Sequence, residues 1–136
     1  NNLRSYFLMT RAVAPWMKKQ RYGKMINISS IAGRDKSLLL GSAYTASKAA
    51  IIGFTRHVAA ELAPFGINVN AVCPSPTYTP MLMSVIDEKK ENELKRKIPL
   101  GYIAQPTHIA PLVLFLAADE SSYMTGAIVD INGGLI

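Results

Sequence analysis

Apolar residues recur every three or four positions along much of the chain, the spacing of a helix that buries one face. One such stretch runs from near residue 2 to about Lys19, with Gly23 as a stop signal. A second runs from about Tyr44 to residues 64–66. The second stretch is apolar on most sides, which predicts a buried helix.

Two more helices are predicted in the second half of the chain. Residues 81–98 alternate charged and apolar positions, which predicts a single amphipathic helix with methionines at its start. Residues 106–118 predict another helix, in which Pro111 removes one backbone hydrogen bond. The segment 74–80 contains three prolines and predicts a loop, because proline lacks a backbone donor and restricts the residue before it.

Short apolar runs over residues 24–29, 67–72 and 127–132 predict three strands. Strands that alternate with helices of ten or more residues favour right-handed crossovers and a parallel sheet. We therefore expect an α/β fold, part of a doubly wound parallel sheet of about three strands with flanking helices. The sequence contains no internal repeat, low-complexity tract or linker.

Composition narrows the range of partners. The 136 residues are 49% hydrophobic and 18% charged, which is typical of a globular domain. The net charge of +6 comes partly from residues 18–21 and 89–97, and the second cluster is interleaved with acidic residues. We interpret both clusters as solvated faces and expect no nucleic-acid partner. The alternative is that they form a cationic rim that attracts a phosphorylated or acidic substrate.

Nothing in the sequence predicts export or membrane insertion. No run of about 18 apolar residues occurs, and the first residues lack the layout of a signal peptide. The single cysteine, Cys73, excludes an intrachain disulfide and fits a reducing compartment, so we expect a cytoplasmic protein with Cys73 in its core. His57 and His108 lack metal-ligand spacing, so both are expected to be structural and no metal is predicted.

Three residues predict a proton-transfer site. Tyr44 and Lys48 lie four positions apart, so a helix brings them to one face, about one turn apart. A phenol has a pKa of about 10, and a nearby ammonium stabilises the phenolate. Ser30 follows an apolar run and precedes a glycine-containing loop, where its hydroxyl can hydrogen-bond a substrate carbonyl.

Five ordered blocks of sequence resemble the short-chain dehydrogenase/reductase family. They comprise residues 2–7, 23–30, 43–50, 66–74 and 123–134. The resemblance implies a Rossmann-like fold. The family's glycine-rich phosphate-binding turn has no counterpart in this sequence, so we expect residues 1–136 to be the C-terminal part of a single Rossmann-like dehydrogenase domain.

The resemblance also implies roles for individual residues. Tyr44 would be the general acid/base, Lys48 would lower its pKa and hold the nicotinamide ribose, and Ser30 would orient the substrate carbonyl. Asn2 would help to hold a water that relays protons, although an asparagine there is equally an N-cap. Ser29 competes with Ser30, and Ser30 is preferred because it directly precedes residues 31–33, as in the family motif.

The loop after the second strand resembles the family's nicotinamide-contacting segment. Cofactor contacts are therefore expected from Tyr44 and Lys48 together with Pro74, Ser75, Thr77 and Thr79. Ser75 stands where the family usually has glycine, and Thr77 where it usually has valine or isoleucine. A Ser75 with positive φ would be strained.

The resemblance implies an oxidoreductase that moves a hydride between NAD or NADP and a small carbonyl or alcohol substrate. The full-length form would be a homo-oligomer, a dimer or tetramer. The apolar residues 38–40 and 81–83 hint at a non-polar substrate. The alternative is a catalytically incompetent fragment that is truncated or serves oligomerisation. A sheet edge and apolar helix faces are expected to be exposed, so the chain alone should be marginally stable, self-associating or dependent on a complementary N-terminal half.

Overall fold

The computed structural model describes residues 2–136, with side chains from residue 3 onward. The predicted role of the Asn2 side chain therefore lies outside the described residues and stays a prediction. The helices are α1 (Asn2–Gln20), α2 (Ser42–Leu62), α3 (Pro80–Met83), α4 (Glu88–Lys97) and α5 (Pro106–Ala117). The strands are β1 (Gly23–Ile28), β2 (Ile67–Pro74) and β3 (Ile128–Ile131).

The three strands form one parallel sheet in the order β1-β2-β3. Gly23 pairs with Ile67 at the start of the β1–β2 ladder, and Pro74 pairs with Ile131 at the end of the β2–β3 ladder. Most of the central strand β2 is buried, as expected for a parallel strand covered on both faces. The predicted α/β class, with three strands and flanking helices, is confirmed.

Helix α2 is buried along one stripe only, so the prediction that it is buried on most sides is wrong. The stripe packs on β1 and β2 through a hydrophobic cluster that comprises Met25, Val58, Ala59, Leu62, Ile67 and Val69. The opposite side carries small residues such as Ala46, Ala49 and Gly53, which are exposed. A three-stranded sheet covers only one side of the helix, and exposing alanine or glycine costs little hydrophobic free energy.

The predicted single helix over residues 81–98 is also wrong, since the structure has two helices with a break between them. Thr79 caps α3, and the Asp87 side chain accepts a hydrogen bond from Lys90 N at 2.8 Å to cap α4. Such caps satisfy orphan backbone donors and start a new helix. Helix α5 runs through Pro111 without interruption.

Several large apolar side chains of α1 and α5 are exposed. Trp16 and Leu114 are 69% and 72% exposed, and Phe7 and Met9 also face outward. Within the described part of the chain, β1 pairs only with β2, so its other edge is free. None of the described helices is both long and apolar enough to cross a membrane. Self-association of the chain through these surfaces stays a prediction.

Candidate active site

Ser30 lies where β1 gives way to a short 3-10 turn. The strand pairing continues through Ser29, whose N–H donates to Val72 O at 2.8 Å. Ser30 then caps the turn, because its Oγ accepts a hydrogen bond from Ala32 N at 3.1 Å. That bond uses a lone pair of the hydroxyl and leaves its proton for another acceptor.

The two candidate serines have different partners. Ser29 is only 3% exposed, and its Oγ donates to the backbone carbonyl of Lys48 at 2.8 Å. That bond ties the end of β1 to α2. Ser30 is more accessible and keeps its proton, so the geometry favours Ser30 for contact with a substrate oxygen.

A close approach of two backbones holds Ser30 beside α2. A Cβ placed on Gly33 would lie 2.6 Å from the carbonyl carbon of Lys48 and 2.8 Å from Ala49 N. Carbon atoms in contact are normally about 3.5–4.0 Å apart, so only glycine fits without a shift. From the sequence alone, Gly33 is predicted only to be part of a loop.

Tyr44 and Lys48 lie on the first two turns of α2, on one face as their spacing predicts. The Lys48 Nζ is 5.7 Å from the centroid of the Tyr44 ring and donates to the Ile28 carbonyl at 3.0 Å. Burial lowers the pKa of the Lys48 ammonium below its usual value, and an electrostatic interaction with Cys73 partly offsets this. An ammonium close to the phenol stabilises a phenolate.

The loop after β2 is held by backbone and side-chain hydrogen bonds. Ser75 N donates to Ile131 O at 3.1 Å, and Thr77 Oγ1 donates to Ser75 O at 2.9 Å. Among the described non-glycine residues only Arg21 has a positive φ. The strain anticipated for Ser75 is therefore absent, because its backbone does not enter the left-handed region.

A cavity of about 250 Å³ collects most of the predicted site residues. Its polar wall includes Ser30, Tyr44, Lys48, Pro74, Ser75, Thr77 and Thr79. Its apolar wall includes Leu38, Leu39, Leu40, Met81, Leu82 and Val85. The same cavity is therefore lined by the proton-transfer residues, by apolar side chains and by the proline-rich loop.

Two groups beside this site, the Ile28 carbonyl and the Tyr6 hydroxyl, are not predicted from the sequence. The carbonyl of Ile28 accepts hydrogen bonds from Lys48 and also from Tyr6, whose hydroxyl lies 2.9 Å away. Every residue has a backbone carbonyl, so residue types carry no signal for Ile28. Tyr6 lies four positions after Asn2, and that helical spacing is the one signal that places it near the predicted site.

The donors around the cavity fit the nicotinamide end of a dinucleotide. A lysine ammonium has three N–H donors, and one of them is used on Ile28, which leaves donors for a ribose diol. Thr79 Oγ1 accepts from Leu82 N at 3.3 Å and still has its own proton to donate. The volume lies below the usual range of about 300–1,000 Å³ for small-ligand sites, so the cavity is too small for a whole dinucleotide.

Both histidines have local structural partners. His57 Nε2 lies 3.2 Å from Glu61 on the surface of α2, and His108 Nδ1 accepts a hydrogen bond from Gln105 N at 3.0 Å at the start of α5. Cys73 is fully buried in β2. In the part of the chain that the structure describes, no three His, Cys, Asp or Glu residues are arranged to hold a metal ion.

Comparisons with known proteins identify relatives along the whole chain. A family model described as enoyl-(acyl carrier protein) reductase matches residues 1–136. A 3-oxoacyl-(acyl-carrier-protein) reductase of Thermotoga maritima is 44% identical over 139 aligned residues, which cover 99% of this chain and 54% of that protein. The chain thus spans about half the length of the curated relatives it matches.

Solved structures give the same picture. The crystal structure of a 3-oxoacyl-(acyl-carrier-protein) reductase from Brucella melitensis has a TM-score of 0.94 and 41% identity, over 98% of this chain and 50% of that one. A second reductase from Brucella melitensis, with bound NAD, has a TM-score of 0.88 and 40% identity, over 98% of this chain and 48% of that one.

Proposed function

The chain belongs to the short-chain dehydrogenase/reductase family, and from this we propose that it carries the proton-transfer site of an oxidoreductase that uses NAD or NADP. Residues 1–136 would form the C-terminal part of one Rossmann-like domain. The observation that carries the proposal is the single cavity shared by Ser30, Tyr44 and Lys48. The cofactor supplies or accepts the hydride when it is bound.

The chain's own residues then manage the proton. In the reductive direction Ser30 donates a hydrogen bond to the substrate carbonyl oxygen and orients it. The Tyr44 hydroxyl gives its proton to that oxygen as the hydride reaches the carbonyl carbon, so an alcohol forms and a phenolate remains. The Lys48 ammonium stabilises the phenolate and holds the nicotinamide ribose with its free N–H donors. In the oxidative direction the same steps run in reverse.

The apolar wall of the cavity supports a substrate whose carbonyl is attached to a non-polar chain. Leu38, Leu39, Leu40, Met81 and Leu82 line this cavity together with the proton-transfer residues. A 3-oxoacyl thioester has this chemistry, and the named reductases to which the chain is similar act on such a group. We assign this substrate class to the chain as part of the proposal.

The test is a Tyr44→Phe variant of the protein that contains this chain, followed through nicotinamide absorbance with a short 3-oxoacyl thioester. The change removes one hydroxyl and keeps the ring, so turnover should fall by about 10²–10⁴-fold while the circular dichroism spectrum is unchanged. Tyr123→Phe is the matched control, because Tyr123 is fully exposed and distant from the cavity lining. Retained turnover in Tyr44→Phe would refute the assignment.

A non-enzymatic function is the second candidate, favoured by the exposed apolar side chains of α1 and α5. In that case the chain assembles with copies of itself or another chain and does not hold a dinucleotide. Titration with NADH and NADPH, followed by nicotinamide fluorescence, separates the two candidates. Saturable binding that weakens in Lys48→Met favours the oxidoreductase, whereas assembly in sedimentation experiments without binding favours the second candidate.

A further inference from the structure

Among the described residues, two side chains donate to the backbone carbonyl of Ile28, and they approach it from different helices. Lys48 Nζ reaches it from α2 at 3.0 Å, and the Tyr6 hydroxyl reaches it from α1 at 2.9 Å. The phenol and the ammonium are therefore neighbours on one oxygen. Ile28 is the last residue of β1, directly before the two serines.

The hydrogen bond from Tyr6 to Ile28 links the linings of two cavities. Ile28, Tyr44 and Lys48 line the cavity of the candidate site. Tyr6 lines a separate groove between α1 and β1. Tyr6 is partly buried, and its hydroxyl bonds the oxygen that Lys48 also contacts.

Resting on the proposed function, we propose that Tyr6 is a positioning residue for Lys48: by sharing the Ile28 carbonyl, its hydroxyl prevents the backbone from holding the ammonium too tightly. The positive ends of two donors on one oxygen repel each other, so each bond is weaker than it would be alone. The ammonium then keeps the freedom to turn its other N–H groups towards a ribose and towards Tyr44.

The charges around Lys48 support this arrangement. Burial is the main cause that raises the pKa of Tyr6, and the hydrogen bond to Ile28 partly offsets it, so Tyr6 stays a neutral donor near neutral pH. Among the described residues, Tyr44 on α2 has its ring centroid 5.7 Å from Lys48 Nζ, and Cys73 on β2 interacts electrostatically with Lys48. The Arg34–Asp130 pair acts on Cys73 and lies beyond it.

The test measures the titration of the Lys48 amine without requiring turnover. Competitive acylation across a pH series, read by peptide mass spectrometry, reports the apparent pKa of each lysine. In Tyr6→Phe, Lys48 becomes the only described side chain that donates to Ile28, so its apparent pKa should rise by roughly half a unit to one unit. Tyr22→Phe is the matched control, because the Tyr22 hydroxyl bonds Asp119 on the surface.

A second substitution keeps the inference falsifiable if Tyr6→Phe does not fold. Site-specific 3-fluorotyrosine at position 6 makes the hydroxyl a stronger donor and should lower the apparent pKa of Lys48. The alkaline limb of kcat/KM should move with the amine titration in each case. A Lys48 titration that is unchanged by removing or strengthening the Tyr6 hydroxyl would overturn the inference.

The outcomes separate this inference from the proposed function. If the apparent pKa of Lys48 changes with the Tyr6 hydroxyl but the protein transfers no hydride, the inference is supported and the proposed function is refuted. If turnover is normal but the apparent pKa of Lys48 is the same in all Tyr6 variants, the proposed function is supported and the inference is refuted.

Discussion

Replacing Gly33 with alanine should disrupt the close backbone contact between the turn after β1 and helix α2. The new Cβ would lie 2.6 Å from the Lys48 carbonyl carbon and 2.7 Å from its oxygen. Both neighbours are backbone atoms of a long helix, so a side-chain rotation does not relieve the clash. The turn and the helix must separate by about 1 Å to reach normal contact distances.

That separation has two costs. Overpacking a tight contact costs about 1–3 kcal/mol in the free energy of unfolding. The same Lys48 carbonyl accepts a hydrogen bond from the Ser29 hydroxyl at 2.8 Å, so the shift also weakens a partly buried hydrogen bond worth about 1 kcal/mol. Ser30 moves with the turn, and a misplacement of about 1 Å in a catalytic group reduces turnover by about 100-fold.

Urea unfolding followed by circular dichroism measures the first effect, and nicotinamide absorbance measures the second. Gly53→Ala is the control, because a Cβ at Gly53 meets no atom within 4 Å and alanine is the better helix former by about 1 kcal/mol. We expect Gly33→Ala to lose stability and turnover while Gly53→Ala gains stability. A Gly33→Ala protein as stable and active as the parent would refute the reasoning.

Two further predictions concern buried polar groups. Thr55→Val should lower the free energy of unfolding by about 1–3 kcal/mol in urea titrations. The reason is that the buried Asn27 amide donates a hydrogen bond to the Thr55 hydroxyl at 2.9 Å and would lose this acceptor. Thr107→Val is the exposed control, and equal stability of the two variants would contradict the prediction. Burial lowers the pKa of Lys48, so the alkaline fall of kcat/KM should begin below the usual lysine pKa of about 10.4. Lys48→Arg should move this alkaline limb to higher pH, because arginine stays protonated. An alkaline limb that does not respond to the substitution would disprove the role of the Lys48 ammonium. The same shift means that the folded chain binds fewer protons than the unfolded chain between the two pKa values, so this group makes stability rise with pH there.

The parts of the fold that were predictable are those in which local pattern and tertiary structure agree. Each strand is a short apolar run between turn signals, and each lies within two residues of its predicted bounds. The break between α3 and α4 was missed because the residues around Asp87 are compatible with a helix and form caps only once the chain packs. The exposure of α2 was missed because the number of strands that cover a helix is a tertiary property.

In the candidate site, too, the features that follow from local sequence pattern were predictable and those that depend on tertiary contacts were not. Side-chain spacing predicts that Tyr44 and Lys48 share a face, since a helix has a fixed period. The choice of Ser30 over Ser29 came from a motif, and the partner of Ser29 supplies the physical reason. The contributions of Gly33 and of the Ile28 carbonyl come from backbone atoms, and residue types do not encode which backbone atoms meet.

The contacts that hold the polar wall of the cavity come from a limited part of the chain. The backbone contact between the turn at Ser30 and α2, the bond from Lys48 to Ile28, and the bond from Ser75 N to β3 all lie among β1, β2, β3 and α2. Tyr6 lies on α1 and lines the groove between α1 and β1. A protein segment that displaces the Tyr6 hydroxyl from Ile28 would therefore act on Lys48, and the Lys48 titration would report that contact.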